Sequence, residues 1–173
     1  MKAKTRYNIR LAGRKKVCIR QNGISGLSGW HQLYRETAER KGIVLESLGY
    51  FQNLFRLSEK YQPEILLLEA YHESRLIAGI IIALYKCRAY YLYGASSYRY
   101  RSLMAPHLLQ WEALRLAKRK GCIWYDFFGI PPEKNSSHPM HGLYRFKTGF
   151  GGTVYHWRGC WDYPFDKTSY ESS

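Results

Sequence analysis

Acidic residues are scarce in this chain: 13 Asp and Glu stand against 27 Lys and Arg in 173 residues. The resulting charge of +14 exceeds anything fold stability asks for. It points to a polyanionic partner: RNA, a phosphate-bearing substrate or an anionic membrane surface. Cysteine is sparse, and Cys18, Cys87, Cys122 and Cys160 form no C-x-x-C pair. That spacing argues against zinc, and a disulfide scaffold is unnecessary at this size. Long apolar runs are missing. The longest, Leu76–Leu84, is strand-sized, far short of the roughly 18 residues of a membrane span. The N-terminus, MKAKTRYNIRLAGRKK, is basic but has no apolar signal core and no cleavage site. These absences predict a cytoplasmic protein with at most peripheral membrane contact. No repeat, low-complexity segment or linker divides the chain, so one domain is expected over 1–166 with a loose polar tail at 167–173. Nor is there a credible Ser-His-Asp or Cys-His arrangement. His138 and His141 stand i, i+3 with no further ligand beside them, and no metal is expected.

What is present suits a globular enzyme or binding domain. The length suffices to bury a core, 46% of residues are hydrophobic, and 16 tyrosines lift the aromatic share to 16%. Thr5 to Lys16 reads as a helix with Tyr7 and Leu11 four apart and cations on nearly every side. So basic a helix gains little by packing, and it is expected to lie across a surface and offer its charges to phosphates. Val17–Arg20 reads as a short strand. Trp30, Leu33, Tyr34, Thr37 and Ala38 trace an amphipathic helix stopped at Gly42, and Phe51, Leu54, Phe55 and Tyr61 mark a second. Ile65–Ala70 and Leu76–Leu84 pair across the polar turn His72–Arg75, and Ala89–Tyr93 follows as a third strand. Ala105 to Lys120 is the clearest helix, with cations at its C-terminal end. Ile123–Gly129 is an aromatic strand holding one acid, Asp126.

The chemistry concentrates between His138 and Trp161. Pro139 opens a helix that carries Phe146 and Lys147 up to a break at Gly149, Gly151 and Gly152. Val154, His156 and Arg158 then alternate as a final strand. Clustered glycines let backbone approach a ligand, and a ring beside a cation suits a nucleotide or an anionic intermediate. Asp126 is a candidate acceptor for an amine proton, against the plainer reading of a strand acid that caps a neighbour.

Strand, two helices, three strands, helix, strand, helix and strand make up the α/β layout of a GNAT-type acyltransferase: a mostly antiparallel sheet flanked by helices. A member that uses CoA needs a glycine-rich turn before the long helix, so that backbone N–H groups can wrap the pyrophosphate. Here Ala95 to Pro106 contains no glycine, and CoA is disfavoured as donor.

KTRYNIRLAGRKK, YGASS, MAPHLLQWEALRLAKRKG, YDFFGIPP and HPMHGLYRFKTGFGG resemble, in order, the C-terminal half of the Fem family of peptidoglycan aminoacyltransferases. The resemblance covers nearly the whole chain. It implies transfer of an amino acid from aminoacyl-tRNA to the stem peptide of a peptidoglycan precursor, nucleotide-linked (UDP) or lipid-linked, without a cofactor. Phe146 and Lys147 match the family's Phe-Lys pair, which implies stacking on the terminal nucleotide for one and oxyanion stabilisation for the other. Tyr98 looks like a family contact to precursor phosphates, and Arg56 like a second. Family members carry two GNAT-like domains, the first framing the acceptor cleft, and this chain resembles the second. Met1 is therefore expected to be an internal position or a start left by truncation. Two other readings stay open: a non-catalytic RNA- or precursor-binding module, and a CoA-dependent N-acyltransferase.

Overall fold

The computed structural model describes residues 1–130, 140–156, 158–159, 163–165 and 170. Five strands form one sheet in the order β1 (Cys18–Asn22), β2 (Glu64–His72), β3 (Arg75–Tyr85), β4 (Arg88–Ser96) and β5 (Trp124–Asp126). The first three pairings are antiparallel and the last is parallel, as a crossover helix between β4 and β5 requires. The hairpin between β2 and β3 turns on Glu73 and Ser74, both with positive φ (+48 and +64), the geometry whose twist matches that of the strands.

The near-continuous apolar run of β3 reflects a sheet covered on both faces. Leu66, Leu68, Ile80, Ile82 and Leu84 enter one core with Leu109, Ala113 and Ala117 of α4 (Ala105–Arg119). Ile65, Leu67, Ile81 and Ala83 enter the other with Leu27, Trp30 and Tyr34 of α2 (Leu27–Lys41) and with Phe51 and Phe55 of α3 (Leu48–Ser58). In β4, Tyr91 pairs with Ile82 and Tyr93 with Ile81, so Leu92 is the extra residue of a bulge.

Three expectations change here. The basic helix α1 (Ala3–Arg14) does pack: Thr5, Asn8 and Ala12 are buried, while Tyr7 is 55% exposed. Short residues at i, i+3 and i+7 form its inner face, and small size allows the close approach that bulk and charge hide in the sequence. The expected final strand at Val154 is absent among the described residues. Val154 and Tyr155 are 41% and 64% exposed and His156 is exposed as well. Alternation with no face to bury gives no pairing. The aromatic strand is likewise cut to Trp124–Asp126, because Phe128 takes φ +60. The expected tail at 167–173, apart from Tyr170, lies outside the described residues, as does His138.

Candidate active site

β4 and β5 pair at Arg88–Trp124, Ala89–Tyr125 and Tyr90–Asp126, and there β5 stops while β4 continues to Ser96. A gap follows on that side of β4. The helix α5 (His141–Gly149) sends Lys147 into it. The ammonium donates to the Gly129 carbonyl at 2.8 Å and lies 5.4 Å from the centre of the Tyr91 ring, so one cation joins both walls of the gap. Lys147 is only 7% exposed. Burial pulls its pKa down to about 8, the charge of Asp126 pulling the other way and that of Lys41 adding to the fall.

Tyr91 leans forward along its own strand over Gly94, where any Cβ would collide with the phenol hydroxyl. Burial drives the Tyr91 pKa up to about 12, with the neighbouring Gln110 side chain opposing the rise. Gln110 is 1% exposed and accepts from the Tyr125 hydroxyl at 2.7 Å. That bond holds Gln110 against β5, while its Nε2 has no hydrogen-bond partner among the described residues.

Asp126 accepts a hydrogen bond from the Phe128 N–H at 2.7 Å. This is a turn-capping role, and its charge still acts on Lys147. Phe146 packs against His107 and Phe150, with ring centres 5.0 and 5.4 Å apart. It also lines a cavity of about 150 Å³ with Ser96, Ser97, Arg101, Met104 and His107. The wall of that cavity is the glycine-free turn: Arg101–Leu103 makes one 3-10 turn and Met104, at φ +56, starts α4.

Tyr98, on the same turn, is 55% exposed and flanked by two guanidinium groups, Arg101 at 4.1 Å and Arg40 at 5.7 Å from the ring centre. Glu36 accepts from the Tyr98 N–H at 2.9 Å, which ties the turn to α2. Arg56 is not brought to this group. It sits exposed on α3 with Asn53 as its hydrogen-bond partner at 3.4 Å.

His107 has no counterpart in the sequence reading. Its Nε2 meets Asn8 Nδ2 of α1 at 3.2 Å; the amide donates, which leaves the ring proton on Nδ1. Burial lowers its pKa to about 4, so the ring is neutral at ordinary pH. Lys2 N–H also donates to the Gly149 carbonyl at 2.8 Å. The basic helix therefore braces the element that carries Phe146 and Lys147. No signal in the sequence joins Asn8 to His107, 99 residues away. No group of three or more metal-ligating side chains occurs among the described residues, and no helix there is long and apolar enough to cross a membrane.

Comparison with known proteins gives this geometry its setting. The model of the FemAB family matches residues 1–71 and 56–173. A lipid II:glycine glycyltransferase of Staphylococcus haemolyticus is 23% identical over 233 residues, covering 97% of this chain and 55% of the relative. That of Staphylococcus aureus is 27% identical over 148 residues, covering 84% and 35%. The crystal structure of FemX superposes with a TM-score of 0.79 at 18% identity, over 87% of this chain and 54% of that one. An aminoglycoside acetyltransferase from an uncultured soil metagenomic sample superposes with a TM-score of 0.60 at 13% identity, over 87% and 97%. The structural likenesses show a GNAT-like fold. The chain spans about half the length of the first curated relatives it matches.

Proposed function

We infer that this chain, which belongs to the FemAB family, carries the donor half of an aminoacyltransferase site. The reaction moves an amino acid from the 3′ ester of aminoacyl-tRNA to an amine on the stem peptide of a peptidoglycan precursor. The amine nitrogen attacks the ester carbonyl, and the displaced electron pair collects on the carbonyl oxygen. Collapse then forms the amide and expels the ribose oxygen, which takes the proton the amine gives up. The ester is already activated, so no enzyme nucleophile is called for.

The observation that carries this reading is Lys147: a nearly buried ammonium spanning the gap beside β4, next to a ring that lines the adjoining cavity. A cation held in a poorly hydrated gap is preorganised for the oxyanion and needs no rearrangement as charge develops. Phe146 supplies a stacking surface for the terminal base. Tyr98, between its two arginines, suits the phosphates of the precursor. Asp126 stands close enough to influence Lys147 electrostatically; it accepts the amine proton and passes it on to the departing ribose oxygen. The bulky turn that replaces a glycine-rich one supports tRNA over CoA as donor.

The test measures both donors on one preparation. Titration with aminoacyl-tRNA should show saturable binding, and acetyl-CoA none at micromolar concentration. Saturable CoA binding without tRNA binding would replace this reading with a CoA-dependent N-acyltransferase. Binding of tRNA with no transfer, even beside the remainder of a longer relative, would leave a binding module.

A further inference from the structure

The connection from α2 to α3 has an anchored backbone and wet side chains. Gly42 ends α2 at φ +62, and the Ile43 N–H turns back to the Ala38 carbonyl at 3.2 Å, a glycine-stopped helix end. The Val44 carbonyl accepts from the Tyr34 hydroxyl at 3.4 Å, and the Glu46 carbonyl from His31 Nε2 at 2.9 Å. Tyr34 and His31 are 5% and 7% exposed, so the core itself grips this segment. Its side chains point the other way. Ile43, Val44 and Leu45 are 43%, 82% and 40% exposed. Single exposed aliphatics are ordinary, but three in sequence on a fixed ridge make a patch that water covers badly.

The surroundings of the ridge say what covers it. Arg40 and Lys41 close the last turn of α2, one glycine before the ridge, and Arg40 belongs to the cluster around Tyr98 with Arg101. Arg35, earlier on α2, and Arg99, next to Tyr98, are exposed as well. Of the neighbouring acids, Glu36 is engaged by the Tyr98 turn and by Arg40, Glu46 is half-buried and Glu39 is exposed. Tyr50, 43% exposed, stands on the first turn of α3 with its hydroxyl on that of Tyr93. An aliphatic tip, a tyrosine with a polar end and a collar of guanidinium groups match a lipid interface. The tip enters the acyl boundary and the cations meet headgroup phosphates. A soluble polyanion satisfies the collar and leaves the tip wet.

We propose that the ridge Ile43–Leu45 docks the protein on an anionic lipid bilayer, with Arg40, Tyr98 and Arg101 held at headgroup depth. Combined with the aminoacyltransferase reading, on which this second step rests, docking there selects a lipid-linked acceptor over a nucleotide-linked one. The diphosphate of a membrane-anchored precursor emerges at the depth of the Tyr98 cluster.

Co-sedimentation of the full chain with vesicles of phosphatidylcholine, with and without phosphatidylglycerol, tests the surface. The expected result is binding to the mixed vesicles that weakens with salt. Val44→Asp should lower that affinity by about tenfold or more. Ile123→Asp, at a position 77% exposed where the chain meets the Cys87 carbonyl, at the end of β4 opposite the Tyr98 turn, should leave it unchanged. Both sites are wet, and melting curves should match wild type. Absence of vesicle binding, no effect of Val44→Asp, or equal losses in the two variants would overturn the proposal. Binding through Val44 by a chain that takes no aminoacyl-tRNA keeps the docking surface and overturns the transferase reading instead.

Discussion

Lys147 carries two pH dependences of opposite sign. Its pKa is lowered from 10.5 to about 8, so the folded chain holds this proton less tightly than the unfolded chain does. Below about pH 8 the group is protonated in both states, and the cost of burying the charge is present in full. Between pH 8 and 10.5 only the unfolded state keeps the proton, and stability rises with pH. Under the proposed mechanism turnover runs the other way, because only the ammonium can neutralise an oxyanion, and kcat is expected to fall above about pH 8. Lys147→Met should remove the rising limb from melting temperatures compared across pH. In an enzyme with its acceptor half present it should lower kcat by about 10²–10³ while tRNA affinity stays nearly intact. Equal turnover at saturating donor would end the catalytic assignment. Phe146→Ala is the contrast: loss of a stacking surface worth about 1–3 kcal/mol appears in donor affinity. Its packing on His107 and Phe150 makes a melting curve a necessary companion measurement.

The braced pair of helices gives the element scale its own test. A Cβ at Gly149, the last residue of α5, would stand 2.5 Å from the Thr5 hydroxyl oxygen on α1. Gly149→Ala should therefore destabilise by about 1–3 kcal/mol through overpacking, less whatever alanine returns in helix propensity. Thr5→Ala in the same chain should recover most of that loss, since the obstructing atom is the hydroxyl. A double variant as unstable as the single one would show that the two helices do not meet there. The same contact explains what the sequence could and could not reveal. β2, β3 and α4 are legible because long apolar runs and a clean 3.6 period survive any tertiary context. The inner face of α1 is not, because Thr5, Asn8 and Ala12 advertise no hydrophobic stripe and are recognisable only from α4 and α5 opposite them. Lys147 and Phe146 stand out by their place before a glycine break. The burial that shifts Lys147 depends on Tyr91 and Gly129, which come from two other segments. Val154 and His156 mislead because alternation alone does not say whether a face will be covered.

At the scale of the whole molecule, charge sets the terms of encounter. The excess of 14 cations is not spent on internal pairing. Lys2, Lys4, Arg6, Arg10, Arg14, Lys15 and Lys16 all lie exposed on or beside α1, outward of the face that braces the site. One element thus offers a cationic surface and holds the helix that carries Phe146 and Lys147 behind it. A polyanion bound there releases counterions, so affinity for tRNA should fall steeply with salt, by about 0.7–0.9 in log K per log unit of salt for each phosphate neutralised. Replacing Lys4, Arg10 and Lys15 by Gln removes three such contacts at most. The slope should then flatten by about 2, with melting temperature unchanged because none of the three is buried. Anisotropy titrations at several salt concentrations read both quantities. An unchanged slope would move the tRNA surface away from α1. A slope near zero in the wild-type chain would mean that the field of this molecule is not what gathers its donor.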